Sequence, residues 1–462
     1  MNRRSAHTRS SSVPAAVLFG LVILVGVAGR GSVAAQSGTA GTATPSGMPG
    51  GAPPSTSSRI ITLADALKLA RANDPALQAA MTAAGIAHNV RVQARAGLLP
   101  RASFVSQFLY TQQNGTGSGV FVANNGGREY IDQANVHQSI GVTETATYRS
   151  AAAAEDLAKA QAQIASRGLV VTVVLRYDSV VVSQRQLTTA RLALADANRF
   201  LKITQDREKG GEAAHSDVIK AQLQVEQRER DLQEAELALS TNRNELAIVL
   251  FSTYQTDFTV TDDLQGPSPL PPFDTVQALA ERQNPDIAAA TAALRQSEQD
   301  VWVARGEIIP SLSLDYYYGI DANQLATTVN GVNLLGSSVT ASVSVPLWNW
   351  GATQSRIASA RLRRQQARVE LSFAQRQLLA DMRSFYDEAA TARQSLTSLQ
   401  RSVDLATESL RLSTLRYEAG EATVLEVVDA QNTLITARDA YDNGQARYHL
   451  ALANLQTLTG TF

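Results

Sequence analysis

The sequence predicts a mainly α-helical chain with a small β part, built as two tandem units of long coiled-coil helices with two strands each. Three observations predict it. The chain repeats itself at a near-constant offset. Seven-residue hydrophobic repeats run through both copies. Segments of strict period-two alternation precede the long helical stretches.

The repeat sets the organisation. Asn73-Asp74-Pro75 matches Gln283-Asn284-Pro285, and Leu98-Leu99-Pro100 matches Ile308-Ile309-Pro310, both at an offset of 210. Tyr177-Asp178 matches Tyr386-Asp387, Gly211-Glu212-Ala213 matches Gly420-Glu421-Ala422, and Ala221-Gln222 matches Ala430-Gln431, all at 209. Chance matches would scatter in offset, so one structural unit is written twice. The first repeat spans 60–251, a linker follows at 252–273, and the second repeat spans 274–462.

Each unit reads in the same order. A short helix (63–71; 276–282) stops before a proline that suits the first turn of the next helix. That helix runs to Gly97 or Glu307 and ends at a proline. Two strands follow. In the second unit Leu312, Leu314, Tyr316, Tyr318 and Ile320 alternate with mostly polar residues, as do Val339, Ala341, Val343 and Val345. Residues 104–110 and 136–142 show a weaker version in the first unit, and the Gly- and Asn-rich stretches 112–127 and 321–336 read as exposed loops. Long helices come last, at 151–209 with 213–249, and at 352–419 with 423–458. A stretch of about 60 residues is about 90 Å long, too long for one globular core, so the helices pack lengthwise. Heptad seams agree: Val218, Val225, Leu232, Leu239 and Leu246 in one unit, Val427, Leu434, Tyr441, Tyr448 and Leu455 in the other. These seams are read as core, not as ligand sites.

The first residues read as an address. Arg3, Arg4 and Arg9 precede an apolar run at 13–28 and the small residues Val33, Ala34 and Ala35, so 1–35 is expected to be a signal peptide. An uncleaved anchor is the rival reading. Residues 36–59, rich in Gly, Ser, Thr, Pro and Ala, read as a flexible linker. No later segment has an apolar run of spanning length, so a bilayer would be crossed only by a closed barrel. With 41 Lys+Arg against 42 Asp+Glu, the chain lacks the basic excess of a nucleic-acid binder. The absence of cysteine excludes disulfides and thiolate chemistry, and five scattered histidines offer no metal-ligand spacing. No catalytic set or phosphate loop is present, so neither an enzyme nor a cofactor is expected. Two strands per unit give four per chain, too few to close a membrane barrel, so several chains must pool their strands if these cross a membrane.

The set Arg416-Tyr417-Glu418-Ala419-Gly420-Glu421-Ala422, Glu426-Val427-Val428-Asp429-Ala430-Gln431 and Val345-Pro346-Leu347-Trp348-Asn349-Trp350-Gly351, with the two helix boundaries above, resembles the TolC-type outer-membrane efflux proteins from about residue 60 to the C-terminus. The resemblance implies a homotrimeric α-helical tunnel carrying a 12-stranded transmembrane β-barrel in outer-membrane lipid, with a large periplasmic portion. It implies docking to an inner-membrane pump, directly or through a periplasmic adaptor (membrane-fusion) protein, the channel itself being passive.

The resemblance also implies site roles. The turns Gly210-Gly211-Glu212 and Ala419-Gly420-Glu421 are placed at the periplasmic tip. Glu426 and Asp429, three apart on one helix face, resemble pore-lining acids; a solvated helix face is the plain alternative. Tyr417 and Asp217 resemble a latch between neighbouring helices. Ala422 departs from relatives with arginine there, and heptad packing is the other reading of Tyr417. Trp348 and Trp350 resemble the barrel–tunnel junction at the membrane interface, plain packing being the alternative. Efflux of small molecules is the function implied; type I protein secretion and a soluble periplasmic coiled-coil scaffold are the rivals.

Overall fold

The structure, a computed structural model, describes residues 59–110, 127–264 and 269–461. The expected signal peptide, nearly all of the 36–59 linker and nearly all of the 112–127 loop lie outside the described residues. In chain order the elements are β1 (Arg59–Ile61), α1 (Leu63–Asn73), α2 (Pro75–Ala96), β2 (Arg101–Tyr110), β3 (Arg128–Ile140), α3 (Val142–Lys209) and α4 (His215–Leu250). There follow β4 (Phe258–Val260), α5 (Phe273–Gln283), α6 (Pro285–Gly306), β5 (Ser311–Ala322), β6 (Thr328–Val329), β7 (Val332–Asn333), β8 (Leu335–Ser344), α7 (Ala352–Glu418) and α8 (Val424–Thr459).

The helix boundaries have local causes. The Asp74 side chain accepts the Leu77 N–H at 2.7 Å, Asn284 does the same for Asp286 and Ile287, and a proline sits at the first helical position after each. α3 runs for 68 residues, about 100 Å, and begins at Val142, nine residues before the expected start. Its first turn is held against α6, where a Cβ on Gly306 would lie 2.3 Å from the Thr143 hydroxyl oxygen.

The heptad seams form the packing surfaces. Val218, Val225, Leu246, Val427, Leu434, Tyr448 and Leu455 are all buried. α8 approaches α7 closely at Gly444, where a Cβ would meet Leu399 Cδ1 at 2.6 Å. The stretch read as the inter-repeat linker also contributes, through β4. β1 and β4 pair in parallel, Ile61 with Val260, and both flank a core that includes Tyr177, Leu246, Leu250 and Phe258. The buried Tyr177 hydroxyl lies 2.7 Å from the Thr261 carbonyl, 3.2 Å from the Ile61 carbonyl and 3.2 Å from Asp263, which anchors this small sheet to α3.

Polar side chains tie the two repeats together at the same level. Arg185 on α3 holds Asp262 through two bonds of 2.6 Å and Asp442 on α8 at 2.9 Å. His449 on α8 lies 2.8 Å from Asp178 on α3. Burial raises the Asp178 carboxyl, against the pull of His449; the His449 pKa is raised chiefly by the hydrogen bond to Asp178.

One topological fact positions the rest. The main sheet has the order β2-β3-β5-β8, all antiparallel, and α2, α3, α6 and α7 pack side by side in the same order. Each strand joins the helix beneath it, so four helix–strand columns make one continuous layer. Among the described residues β2 and β8 are its open edges, as are α2 and α7.

Candidate functional site

The sheet has two unlike faces. Register pairs Phe108 with Tyr130, Val136 with Tyr316, and Tyr316 with Val339, so these side chains share one face with Phe104, Leu314, Tyr318 and Val343. Most of them are exposed, Val339 by 74% and Phe104 by 69%. The other face carries Ser103, Gln107, Asn135, His137, Ser313, Asp315, Ser338 and Thr340. There His137 Nδ1 lies 2.8 Å from Asp315, and the Asn135 amide donates to the same carboxylate at 3.4 Å. An exposed apolar face backed by a polar one is the pattern of a strand set with lipid outside and water inside. Among the described residues no helix is long and apolar enough to cross a membrane. The expected loop at 321–336 is partly regular: β5 continues through Ala322, and β6 and β7 form a small hairpin.

Below the sheet, Trp348 and Trp350 stand 76% and 89% exposed, edge to face at 5.9 Å, between the end of β8 and the start of α7. Trp350 holds φ +55, a strained backbone for a bulky residue, just before Gly351 at φ +81. Exposed Leu99, Ile308 and Ile309 occupy the α2–β2 and α6–β5 junctions.

At the far end, the two helix pairs turn in the same way. Gly211 at φ +77 and Gly420 at φ +84 each follow a helix end. The Glu212 N–H donates to the Arg207 carbonyl and Gly211 to Glu208; Glu421 donates to Arg416 and Gly420 to Tyr417. These are Schellman turns, which need the left-handed conformation that glycine provides. Gly210 is the right-handed capping residue beside the turn.

Tyr417 is buried among Phe200, Ala221, Val424 and Val427 and lies 3.4 Å, hydroxyl to hydroxyl, from Thr204. Asp217 pairs with Lys220 at 3.2 Å, so within the chain Tyr417 and Asp217 are not bonded to each other. Arg207, which the sequence reading did not single out, joins the two turns. It donates to the Tyr417 carbonyl, lies over the Tyr417 ring at 5.0 Å and pairs with Glu212 at 3.6 Å. Its partners lie on both sides of a gap of about 210 positions, so no local pattern announces it.

Glu426 and Asp429 share the exposed face of α8, opposite buried Val424 and Val427. Glu426 has work of its own. It closes a capping box with Thr423 and pairs with Arg416 at 3.4 Å. The Thr423-x-x-Glu426 spacing carried that signal. Among the described residues no ion pair engages the exposed Asp429 carboxylate. No cluster of possible metal ligands occurs among the described residues.

A two-faced sheet, open at both edges and continued column by column into long helices that end in twin glycine turns, is the architecture of an efflux-channel subunit with a helical tunnel. The chain belongs to the outer membrane efflux protein family, whose sequence profile matches residues 66–250 and again 276–461, once on each repeat. It is 25% identical to the outer membrane protein TolC of Vibrio cholerae, over 86% of this chain and 90% of that one. It is 23% identical to the alkaline protease secretion protein AprF of Pseudomonas aeruginosa, over 86% and 84%. Among solved structures it superposes on the outer membrane protein VceC of Vibrio cholerae with a TM-score of 0.75 at 18% identity, covering 86% of this chain and 96% of that one.

Proposed function

We propose that the chain is one subunit of a homotrimeric, passive exit duct in the outer membrane, exporting small molecules with an inner-membrane pump and a periplasmic adaptor. The observation that carries this is the four-column layer with both edges open. Leaving β2 and β8 unpaired in lipid would cost several kcal/mol per backbone group, and joining copies edge to edge removes that cost. The bare edge of α7 supports the same reading. Leu362 and Val369 are 67% and 60% exposed, whereas their first-repeat counterparts Ala153 and Ala160 are buried. Three copies would pool twelve strands. The apolar sheet face then meets lipid, Trp348 and Trp350 lie at its periplasmic border, and the glycine turns form the tip.

In this reading Asp429, with Glu426, lines the narrow end as a ring of carboxylates favouring cations. The Tyr417–Asp217 latch belongs to another arrangement of the tip, in which Asp217 exchanges Lys220 for Tyr417. Residues 1–35 act as the export signal. Similarity to AprF supports a second cargo reading, type I protein secretion.

The test is the native mass of the protein in detergent, with rescue of a strain lacking its own exit duct. A three-copy mass and restored resistance to a small toxic compound support the proposal. A monomer soluble without detergent would favour the scaffold and refute it. Restored protein secretion without restored resistance would select the second cargo reading.

A further inference from the structure

Arg167 on α3 does something no other described arginine does: it caps two helices at once. Nη1 donates to the Thr457 carbonyl at 2.7 Å and to the Leu458 carbonyl at 3.4 Å, and Nη2 donates to the Gln283 carbonyl at 2.9 Å. Those carbonyls end α8 and α5. The last carbonyls of a helix lack intrahelical partners and carry partial negative charge, so a guanidinium is a fitting cap. Both capped helices belong to the second repeat and the arginine to the first. The contact therefore seals the junction between repeats inside one chain.

The internal repeat places an arginine at the matching position. The offset of 209 that aligns Tyr177 with Tyr386 and Leu169 with Leu378 aligns Arg167 with Arg376 on α7. It aligns Thr457 and Leu458 with Ile248 and Val249 at the end of α4, and the offset of 210 aligns Gln283 with Asn73 at the end of α1. Arg376 is exposed, and its hydrogen bond from Nε to the Ser372 carbonyl at 3.3 Å stays within its own helix. Among the described residues no hydrogen bond reaches the carbonyls of Asn73, Ile248 or Val249, although Ala247 and Leu250 beside them are engaged. The flanking surface is bare in the same way. Val170 is buried against Ala453, whereas its counterpart Leu379 is 49% exposed and Ile248 is 69% exposed.

We propose that Arg376 of one copy caps the C-termini of α4 and α1 of the next copy, donating to the carbonyls of Ile248, Val249 and Asn73. The contact repeats between chains what Arg167 does within a chain, so the ring is stapled at one level by alternating internal and intermolecular arginine caps. The inference rests on the ring proposed above, with a second copy as the occupant of the bare face of α7.

The absence of native cysteine makes the test clean. Cysteines at Arg376 and Ile248 (R376C/I248C) are treated, in the full-length detergent-purified protein, with a bismaleimide about as long as an arginine side chain. The pair R167C/T457C calibrates the same geometry within one chain. The expected result is covalent multimers from R376C/I248C, and a cross-linked monomer from the calibration pair. In a second measurement Arg376→Gln raises the apparent dissociation constant of the oligomer about tenfold per interface, and Arg376→Lys raises it less. If the calibration pair cross-links, native mass gives several copies, and R376C/I248C still yields only monomers, the staple is overturned while the ring stands. A native mass of one copy overturns the ring and the staple with it.

Discussion

Val339 and Thr340 are neighbours near the middle of β8 and point to opposite faces of the sheet. Val339 lies on the apolar face, 74% exposed; Thr340 lies on the polar face, directly across from Asp315. Arginine at Val339 would place a charge in the lipid midplane. Such a charge destabilises a barrel by about 2–4 kcal/mol, so three copies would lose about 6–12 kcal/mol. Arginine at Thr340 would instead meet the Asp315 carboxylate in water and cost about 1 kcal/mol or less. The assay is refolding into lipid vesicles over a urea series, followed by the mobility of the unheated oligomer on a gel. Val339→Arg should abolish insertion or shift its midpoint strongly toward lower urea; Thr340→Arg should insert almost normally. Equal effects from the two variants would refute the assignment of lipid and lumen faces.

Other consequences can be measured at the tip and between the repeats. Asp429→Ala should reduce cation selectivity more than Glu426→Ala, because Glu426 is already paired with Arg416; reversal potentials in a salt gradient report the difference. Glu426→Ala should also lower stability by about 1 kcal/mol through loss of its capping box, read by urea titration. Arg207→Ala should uncouple the two glycine turns, speeding amide exchange at both 205–214 and 415–424; acceleration of one turn alone would contradict the coupling. The His449–Asp178 pair should stabilise in a pH-dependent way. The raised His449 pKa means the folded state holds that proton more tightly. Its contribution is full below about pH 6.5 and is lost as pH rises through the raised native value. The buried Asp178 carries a penalty for its charge that is relieved only as pH falls far enough to protonate it. The melting gap between the natural protein and Asp178→Asn should therefore be wider near pH 6 than near pH 9, with Asp263 and Tyr177 left unchanged.

Much of the frame was legible because it rests on periodicity. Val218, Val225, Val427, Tyr448 and Leu455, named for their heptad positions, are core residues, and the alternating residues of β5 and β8 divide between two faces as period two requires. What escaped had no period to betray it. β1 and β4 are three residues each, too short for alternation to register, and their order comes from the Tyr177 hydroxyl and Arg185 rather than from local preference. The first nine residues of α3 include Thr143, Thr145 and Thr147, poor helix formers held by packing on α6. At the tip, Gly211 and Gly420 were readable from turn chemistry. The contacts of Tyr417 with Thr204, and of Arg207 with both turns, join residues about 210 positions apart, and only the folded chain brings them together.

The central claim is that copies of this chain join their open edges into a pore. Single-channel recording of the purified protein in a planar lipid bilayer tests it most directly. The account predicts discrete, cation-selective conductance steps whose selectivity falls in Asp429→Ala. Protein that is folded yet stays monomeric and outside the bilayer, with no conductance at any voltage, would contradict it.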